Sequence, residues 1–298
     1  MRCSFAIAPT MSILSAFSAA GQTTTIPTRT EQNVIVASYN IKWMGDTPHD
    51  FTKLASVIQH FDVCGILEVK KETAVADLAK ALKEKTGKDW GFVHGVRTHR
   101  PQGLYHEAYA AVYRRDRVQL GDGVVSNVWD LEEAFRNDPF LVSFRRGNFD
   151  FLLMLVHTRW SDDEEGTREK EVAKTAEQIL WMKSFLSERD FLLAGDFNYA
   201  GTAEAMEAMA ETADLVQLDA NPKTTFKADL SGYSSSYDHI FVLDGQTPEF
   251  VAGSCQAMDV TAVIYGSNSI ENMGKSKNEL SDHLPIWAEF RTDMTDTD

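Results

Sequence analysis

The 298-residue chain is poor in cysteine, proline and basic residues, and it has no long apolar run. Three cysteines exclude a small fold built on disulfides. Eight prolines and 18 glycines exclude a collagenous or low-complexity chain. No apolar stretch reaches the roughly 18 residues that a membrane-spanning helix needs. Twenty-nine Lys and Arg against 44 Asp and Glu give a net charge of −15, which excludes a general basic coat for loose nucleic-acid binding. That charge leaves room for a local metal site, because a bound cation is the largest charge in its own surroundings. What is present is 43% hydrophobic, a globular composition long enough for a substantial core.

The first 20 residues hold Arg2, then Phe5, Ala6, Ile7, Met11, Ile13, Leu14 and Phe17, and no acid. Ser18 and Ala20 form a small-x-small site before Gly21. This stretch resembles a secretory signal peptide, so a secreted or periplasmic protein is the expectation. Residues 21–32 are Thr-rich and polar and read as a linker. One domain spans 33–291, with a polar, acidic tail over 292–298. Cys64 lies in an apolar run and reads as a small core residue, with pairing to Cys255 left open.

Within the domain, strand-like and helix-like segments alternate. Val34–Ser38, Val63–Leu67, Phe92–His94, Ala110–Tyr113, Leu141–Phe144, Phe151–Val156, Phe191–Ala194, Ile240–Leu243 and Leu284–Phe290 read as strands. Phe51 to Gln59, Ala74 to Leu82 and Thr167 to Leu186 carry helical spacing, and a further helix follows Thr202. The cluster Arg145-Arg146-Gly147-Asn148 marks a hairpin. Hairpins mixed with crossover helices predict an α/β layered domain with two sheets rather than a simple doubly wound one.

Polar residues end several of these apolar runs, where charge is unusual without a reason. Glu68 follows Gly65-Ile66-Leu67, and its carboxylate suits a hard cation or a solvated strand end. Asp196 and Asn198 follow a buried run through Gly195, and their spacing in extended chain puts them on one face. They fit either a metal-bound water and phosphate or an Asx turn. Asp282-His283 and Asp238-His239 each precede an apolar run. An acid there can hold a metal, or orient an imidazole as a general base. An imidazole such as His157 at the end of Phe151–Val156 suits a phosphate donor, and Asn40 ends the first strand either as a neutral donor and acceptor or as a helix or turn cap.

Taken in order, Ser38-Tyr39-Asn40-Ile41, Ile66-Leu67-Glu68-Val69, Val156-His157-Thr158, Gly195-Asp196-Phe197-Asn198, Tyr237-Asp238-His239-Ile240 and Ser281-Asp282-His283-Leu284-Pro285 resemble the endonuclease/exonuclease/phosphatase superfamily. Tyr105-His106-Glu107-Ala108-Tyr109 is similar to its deoxyribonuclease I branch. The resemblance implies a four-layer α-β-β-α sandwich of two packed mixed sheets flanked by helices. It also implies Asn40, Glu68 and Asp282 around a divalent cation, Mg²⁺ or Mn²⁺. Asp196 and Asn198 then position water and phosphate. His283 with Asp238 is the general base, and His157 with Glu107 donates to the phosphate or the leaving oxygen. Structural Ca²⁺ is common in that branch, with no residue here assigned to it.

Lys70 falls where the branch often has a groove-entering Arg. Asn137 stands where Phe135-Arg136-Asn137-Asp138-Pro139 would carry another, which leaves Arg136 and Arg145 as substrate contacts. The expected activity is a metal-dependent endonuclease with DNA as substrate, monomeric and without stable membrane association. The alternative is a phosphoesterase on lipid or inositol phosphate head groups, sphingomyelinase-like or inositol-phosphatase-like. Ser236-Tyr237-Asp238-His239 departs from the Trp-Cys-Asp-Arg of the inositol relatives. An inactive binding module would require a lost core residue, and every core position is filled. The sequence has no zinc-type Cys/His spacing and no Gly-x-Ser-x-Gly turn.

Overall fold

The computed structural model describes residues 22–96, 107–128, 130, 132–161 and 166–296. The expected signal peptide over 1–20, and Tyr105-His106 of the motif ending at Tyr109, lie outside the described residues. One sheet contains β1 (Asn33–Met44), β2 (Val63–Val69), β3 (Trp90–His94), β4 (Ala108–Arg114), β11 (Gln256–Ala257) and β12 (Ile286–Arg291). Its order is β11-β12-β1-β2-β4-β3. The second contains β5 (Gln119–Asn127), β6 (Phe140–Arg146), β7 (Phe149–His157), β8 (Phe191–Asp196), β9 (Leu215–Gln217) and β10 (Asp238–Leu243). Its order is β5-β6-β7-β8-β10-β9. Each sheet has one parallel pair near its centre, β1 with β2 and β7 with β8, flanked by antiparallel partners.

The strands are apolar on both faces because both faces are covered. Side chains alternate across each sheet. On β7, Phe151, Leu153 and Leu155 enter the core between the sheets. Leu152, Met154 and Val156 instead meet Val172 and Ile179 of α3 (Thr167–Lys183) and Met206 and Met209 of α4 (Glu204–Ala213). On β1, Val34 and Val36 point inward. Ile35 and Ala37 meet α1 (Phe51–Ile58) and α2 (Glu72–Thr86) on the outer side. The result is the four-layer α-β-β-α sandwich that the resemblance implied. Gly65 of one sheet comes so close to Leu155 of the other that an added Cβ would lie 2.4 Å from it.

Several elements escaped the sequence reading. β5 is a Gly-bearing edge strand with a register shift between Leu120 and Val125, so it lacks an apolar run. The short helices α5 (Val260–Tyr265) and α6 (Ile270–Glu279) bury only two residues each, Val260 and Thr261, and Met273 and Ser276. So few buried positions give no periodicity. None of the described helices is long and apolar enough to cross a membrane.

Residues 22–32, read as a linker, are docked on the domain. Thr23 N donates to Ala257 O at 2.9 Å. Arg29 Nε meets the fully buried Asp62 at 2.6 Å, and its Nη2 donates to Phe61 O at 2.6 Å. Arg117 Nε lies 2.7 Å from the same Asp62 oxygen, and Ile35 N donates to Asp62 Oδ2 at 3.0 Å. The polar side chains and backbone of this segment are thus partly taken up by hydrogen bonds to the domain. Breaking a buried ion pair from one side strands the remaining charge. Asp62→Ala should therefore cost about 3–5 kcal/mol of unfolding free energy. Urea denaturation followed by far-UV circular dichroism measures it, and an unchanged midpoint would refute this role.

Candidate active site

The site lies where the inter-sheet core ends. On strand after strand, the inward-facing series of apolar residues passes into a polar residue of the same parity. Leu153 and Leu155 lead to His157, Leu192 and Ala194 to Asp196, and Val34 and Val36 to Asn40. Ile240 and Val242 are preceded by Asp238, and Tyr109 and Ala111 by Glu107. The pleat alone brings these side chains to one edge of the interface.

Two positions need more than the pleat. Glu68 has the outward parity of Cys64 and Ile66. A register irregularity and a left-handed backbone, φ 59°, turn it back toward Asn40. Gly195 has φ 150°, and an added Cβ there would sit 1.9 Å from Val156 O. Only glycine lets β8 lie this close to β7 just ahead of Asp196.

The Asn40 amide joins two acids. Its Nδ2 donates to Glu68 Oε1 at 2.9 Å and to Asp196 Oδ2 at 3.0 Å. Two imidazoles flank the same Asp196 oxygen, with His283 Nε2 at 3.5 Å and His157 Nε2 at 3.7 Å. Each imidazole is oriented from behind. His283 Nδ1 meets Asp238 Oδ2 at 2.8 Å, and His157 Nδ1 meets Glu107 Oε2 at 2.9 Å. His157 N donates to Tyr109 Oη at 2.9 Å. Asn198, at φ 53°, closes the loop after β8. Its N donates to Asp196 Oδ1 at 2.9 Å and its Nδ2 to Thr158 O at 2.8 Å.

Electrostatics follow from this crowding. Burial works against a charged His157, but Glu107, Asp196 and Glu68 outweigh it and push His157 up to about 10. For Glu107, burial is likewise opposed, here by His157 and Lys70, and the carboxyl is pulled down to about 2. Burial also works against His283, and Asp238 and Asp196 still hold it well above the ordinary histidine value. Glu68 is shifted up, chiefly by burial.

The structure places the other substrate and metal candidates as follows. Lys70, read as a groove-entering cation, is only 7% exposed, and its Nζ donates to Glu107 Oε1 at 3.1 Å. It supports the Glu107–His157 pair instead. Arg145 pairs with Asp150 at the far end of β7, seven residues from His157 and thus roughly 23 Å away. Hairpin geometry carries it to the opposite pole. Asp282, expected with Asn40 and Glu68 on one ion, accepts from Lys42 Nζ at 2.8 Å. Arg136 stays near the site, on the segment entering β6, whose Phe140 pairs with Leu155. Its N donates to Glu171 Oε1 at 2.7 Å.

Lys42 and Glu171 were missed. Lys42 was legible, since it lies two residues beyond Asn40 on one strand. Glu171 was not, since it is an acid on a helix that folding buries completely, where it also accepts from Arg159 N at 2.8 Å. His239 is a buried structural residue, with Nδ1 on Asp219 at 3.1 Å and Nε2 on Tyr199 O at 3.0 Å.

The donor set fits a hard divalent cation. Among the described residues, Glu68, Glu107 and His157 form one group of ligand atoms within 4.8 Å of one another, and Asp196, Asp238 and His283 form a second. The buried Oδ1 of Asn40 has no hydrogen-bond partner, although it belongs to the amide that draws Glu68 and Asp196 together. Carboxylate and amide oxygens suit Mg²⁺, Mn²⁺ or Ca²⁺ rather than a soft metal.

Two His–carboxylate dyads over an acid cluster, at the edge of paired sheets, are groups able to move protons beside a hard cation. The profile of the Endonuclease/Exonuclease/phosphatase family matches residues 37–283, and the chain belongs to that family. Its members are phosphodiesterases and phosphatases. No curated protein matches the sequence significantly. A family protein from Bacteroides thetaiotaomicron superposes with a TM-score of 0.58 at 18% identity, covering 88% of this chain and 98% of its own. TDP2 from D. rerio, complexed with a single-strand DNA product, gives 0.59 at 15% identity, covering 87% and 98%. ANGEL2, a 2',3'-cyclic phosphatase, gives 0.61 at 13% identity, covering 88% and 96%. At these identities the likeness speaks for the fold.

The dyads predict a pH effect. His157 is raised from 6.5 to about 10 in the folded protein. Its contribution to stability is therefore complete below about pH 6.5 and is lost as pH rises through about 10. In chelator, Glu107→Gln should lower the NMR titration midpoint of His157 by about 1–3 pH units. The stability gap between wild type and Glu107→Gln should shrink from pH 7 to pH 10. An unmoved midpoint would show that Glu107 does not set the charge of His157.

Proposed function

We propose that the chain is a divalent-metal-dependent phosphodiesterase that cleaves DNA endonucleolytically. The observation that carries this reading is the convergence of two oriented imidazoles on Asp196 Oδ2, at 3.5 and 3.7 Å. Phosphodiester hydrolysis requires one group to take a proton from water and another to support the departing oxygen. The dyads supply one of each.

In this reading His283 takes the proton from the attacking water, with Asp238 stabilising the imidazolium. His157, held by Glu107 and Lys70, donates to the phosphate or the leaving oxygen. Asp196 and Asn198 orient water and phosphate. Glu68 and Asn40 would hold the cation, and Asp282, whose Oδ2 accepts from Lys42, would offer its other oxygen. Mg²⁺ is the proposed ion. When bound, it supplies positive charge at the phosphate and offsets the carboxylate field of Asp238 and Asp196 that raises His283. Export is proposed from the N-terminal 20 residues.

A second reading, hydrolysis of a compact phosphoester, is favoured by one observation. Lys70 is turned inward and Arg145 is remote, so fewer cations are available to track a long backbone.

Relaxation of supercoiled plasmid tests both. Nicking with Mg²⁺, none in chelator, and a loss of about 10²–10⁴-fold in His283→Ala are expected. Absence of nicking by folded protein that still hydrolyses a small phosphomonoester would overturn the DNA reading. Nicking that survives His283→Ala would overturn the base assignment.

A further inference from the structure

The pole opposite the site carries the reverse charge. In a chain of net charge −15, Arg115, Arg117, Arg145 and Arg146 line one cavity of about 220 Å³. Asp116 is the one acid among the described residues that line it. The turn after β4 supplies the first two arginines, and the β6–β7 hairpin supplies the other two. β4 begins beside Glu107 and β7 ends at His157, so the cavity lies at the far ends of these strands.

The inner pair of arginines is fixed. Arg146 Nη1 donates to Arg117 O and its Nε to Asn33 O, both at 2.8 Å. Arg117 Nη2 donates to Thr30 O and Asn33 O, both at 2.9 Å, and its Nε lies 2.7 Å from Asp62. The outer pair is exposed. Arg115 Nη1 stands 4.0 Å from Asp89. Arg145 Nε makes a long contact with Gly147 O at 3.4 Å. Asp150 lies across from Arg145 in the hairpin register, yet among the described residues no carboxylate oxygen comes within 4.0 Å of the Arg145 guanidinium.

Local acids do not cancel this charge. Asp62 Oδ1 already takes Arg29 as well as Arg117. Asp116 takes Arg114, from Nε at 2.9 Å and Nη2 at 2.5 Å. Glu31 lies 3.7 Å from Arg146, but its side chain is 98% exposed. Burial and the adjacent Arg117 pull the Arg146 guanidinium down, against Asp62 and Glu31. An anion placed among such like charges relieves their repulsion.

The shape selects a small anion. A guanidinium presents paired N–H donors in a planar fork that matches the edge of a phosphate. The inner forks are already ordered, and the outer two can close on a ligand from both sides. A recess of about 220 Å³ admits one tetrahedral anion with its water rather than the broad face of a macromolecule. A backbone diester has a single charge and two substituents, and fits such a recess less well. We infer that this recess binds a free phosphate dianion, remote from the site and independent of the reaction carried out there.

Amide NMR on the full chain in chelator tests this. Inorganic phosphate at about pH 8, where it is largely the dianion, is titrated beside sodium chloride of matched ionic strength. Saturating shifts are expected at Asp116, Gln119 and Gly147. Arg115→Gln and Arg145→Gln, both on exposed side chains, should each raise the Kd read there by about tenfold through loss of a charge-assisted hydrogen bond. The amides of His157 and His283 report phosphate binding at the site separately. Dimethyl phosphate, a mimic of the nucleic-acid backbone, should bind the recess about tenfold more weakly or less. Absent shifts, shifts that chloride reproduces, or a Kd that neither variant changes would overturn the inference. Equal affinity for dimethyl phosphate would overturn the choice of the free dianion.

Discussion

Four carboxylates, from Glu68, Glu107, Asp196 and Asp238, lie at the end of an apolar inter-sheet core, where unpaired charge would be costly. The fold answers this locally. Each of two imidazoles takes one acid behind it and faces Asp196 in front, Lys70 takes Glu107, and the Asn40 amide ties Glu68 to Asp196. Every other feature of the edge serves that arrangement. Gly195 admits β8 against β7, the irregularity at Glu68 turns a residue of the wrong parity inward, and Asn198 closes the loop that holds Asp196.

This balance also explains the protonation pattern. Both histidines are held above their ordinary value because the acids outweigh the burial that would neutralise them. A site so rich in negative charge, with oxygen donors converging, is chemically suited to a hard cation. The chemistry is common to phosphoesters, and selectivity rests on what surrounds the edge.

The support of the site extends well beyond its own residues. Glu171, on a helix of the outer layer, accepts from the backbone of Arg136 and Arg159 and so links the segment entering β6 to the segment leaving β7. At the opposite pole, Asp62 receives Arg29 and Arg117 and fastens the N-terminal segment to the first sheet. The two ends of the sandwich are thus organised by buried acids, one set converging around two imidazoles and the other fastening the N-terminal segment.

The sequence by itself determined the layered fold and the polar residues that gather at one edge of it. Apolar runs with fixed parity specify buried strands, and a polar residue that breaks such a run at its end is conspicuous, as with His157, Asp196 and Glu68. The family resemblance assigned their order. Tertiary structure alone decided where each cation goes. Lys70 and Arg145 look alike as basic residues at strand ends, yet one is drawn into the core by Glu107 and the other is carried to the far pole by an antiparallel hairpin. Glu171 and the docked segment 22–32 were equally hidden, since their roles depend on partners distant in the chain. Side-chain parity is a local property of the backbone, whereas the pairing of charges is a property of what the fold brings together.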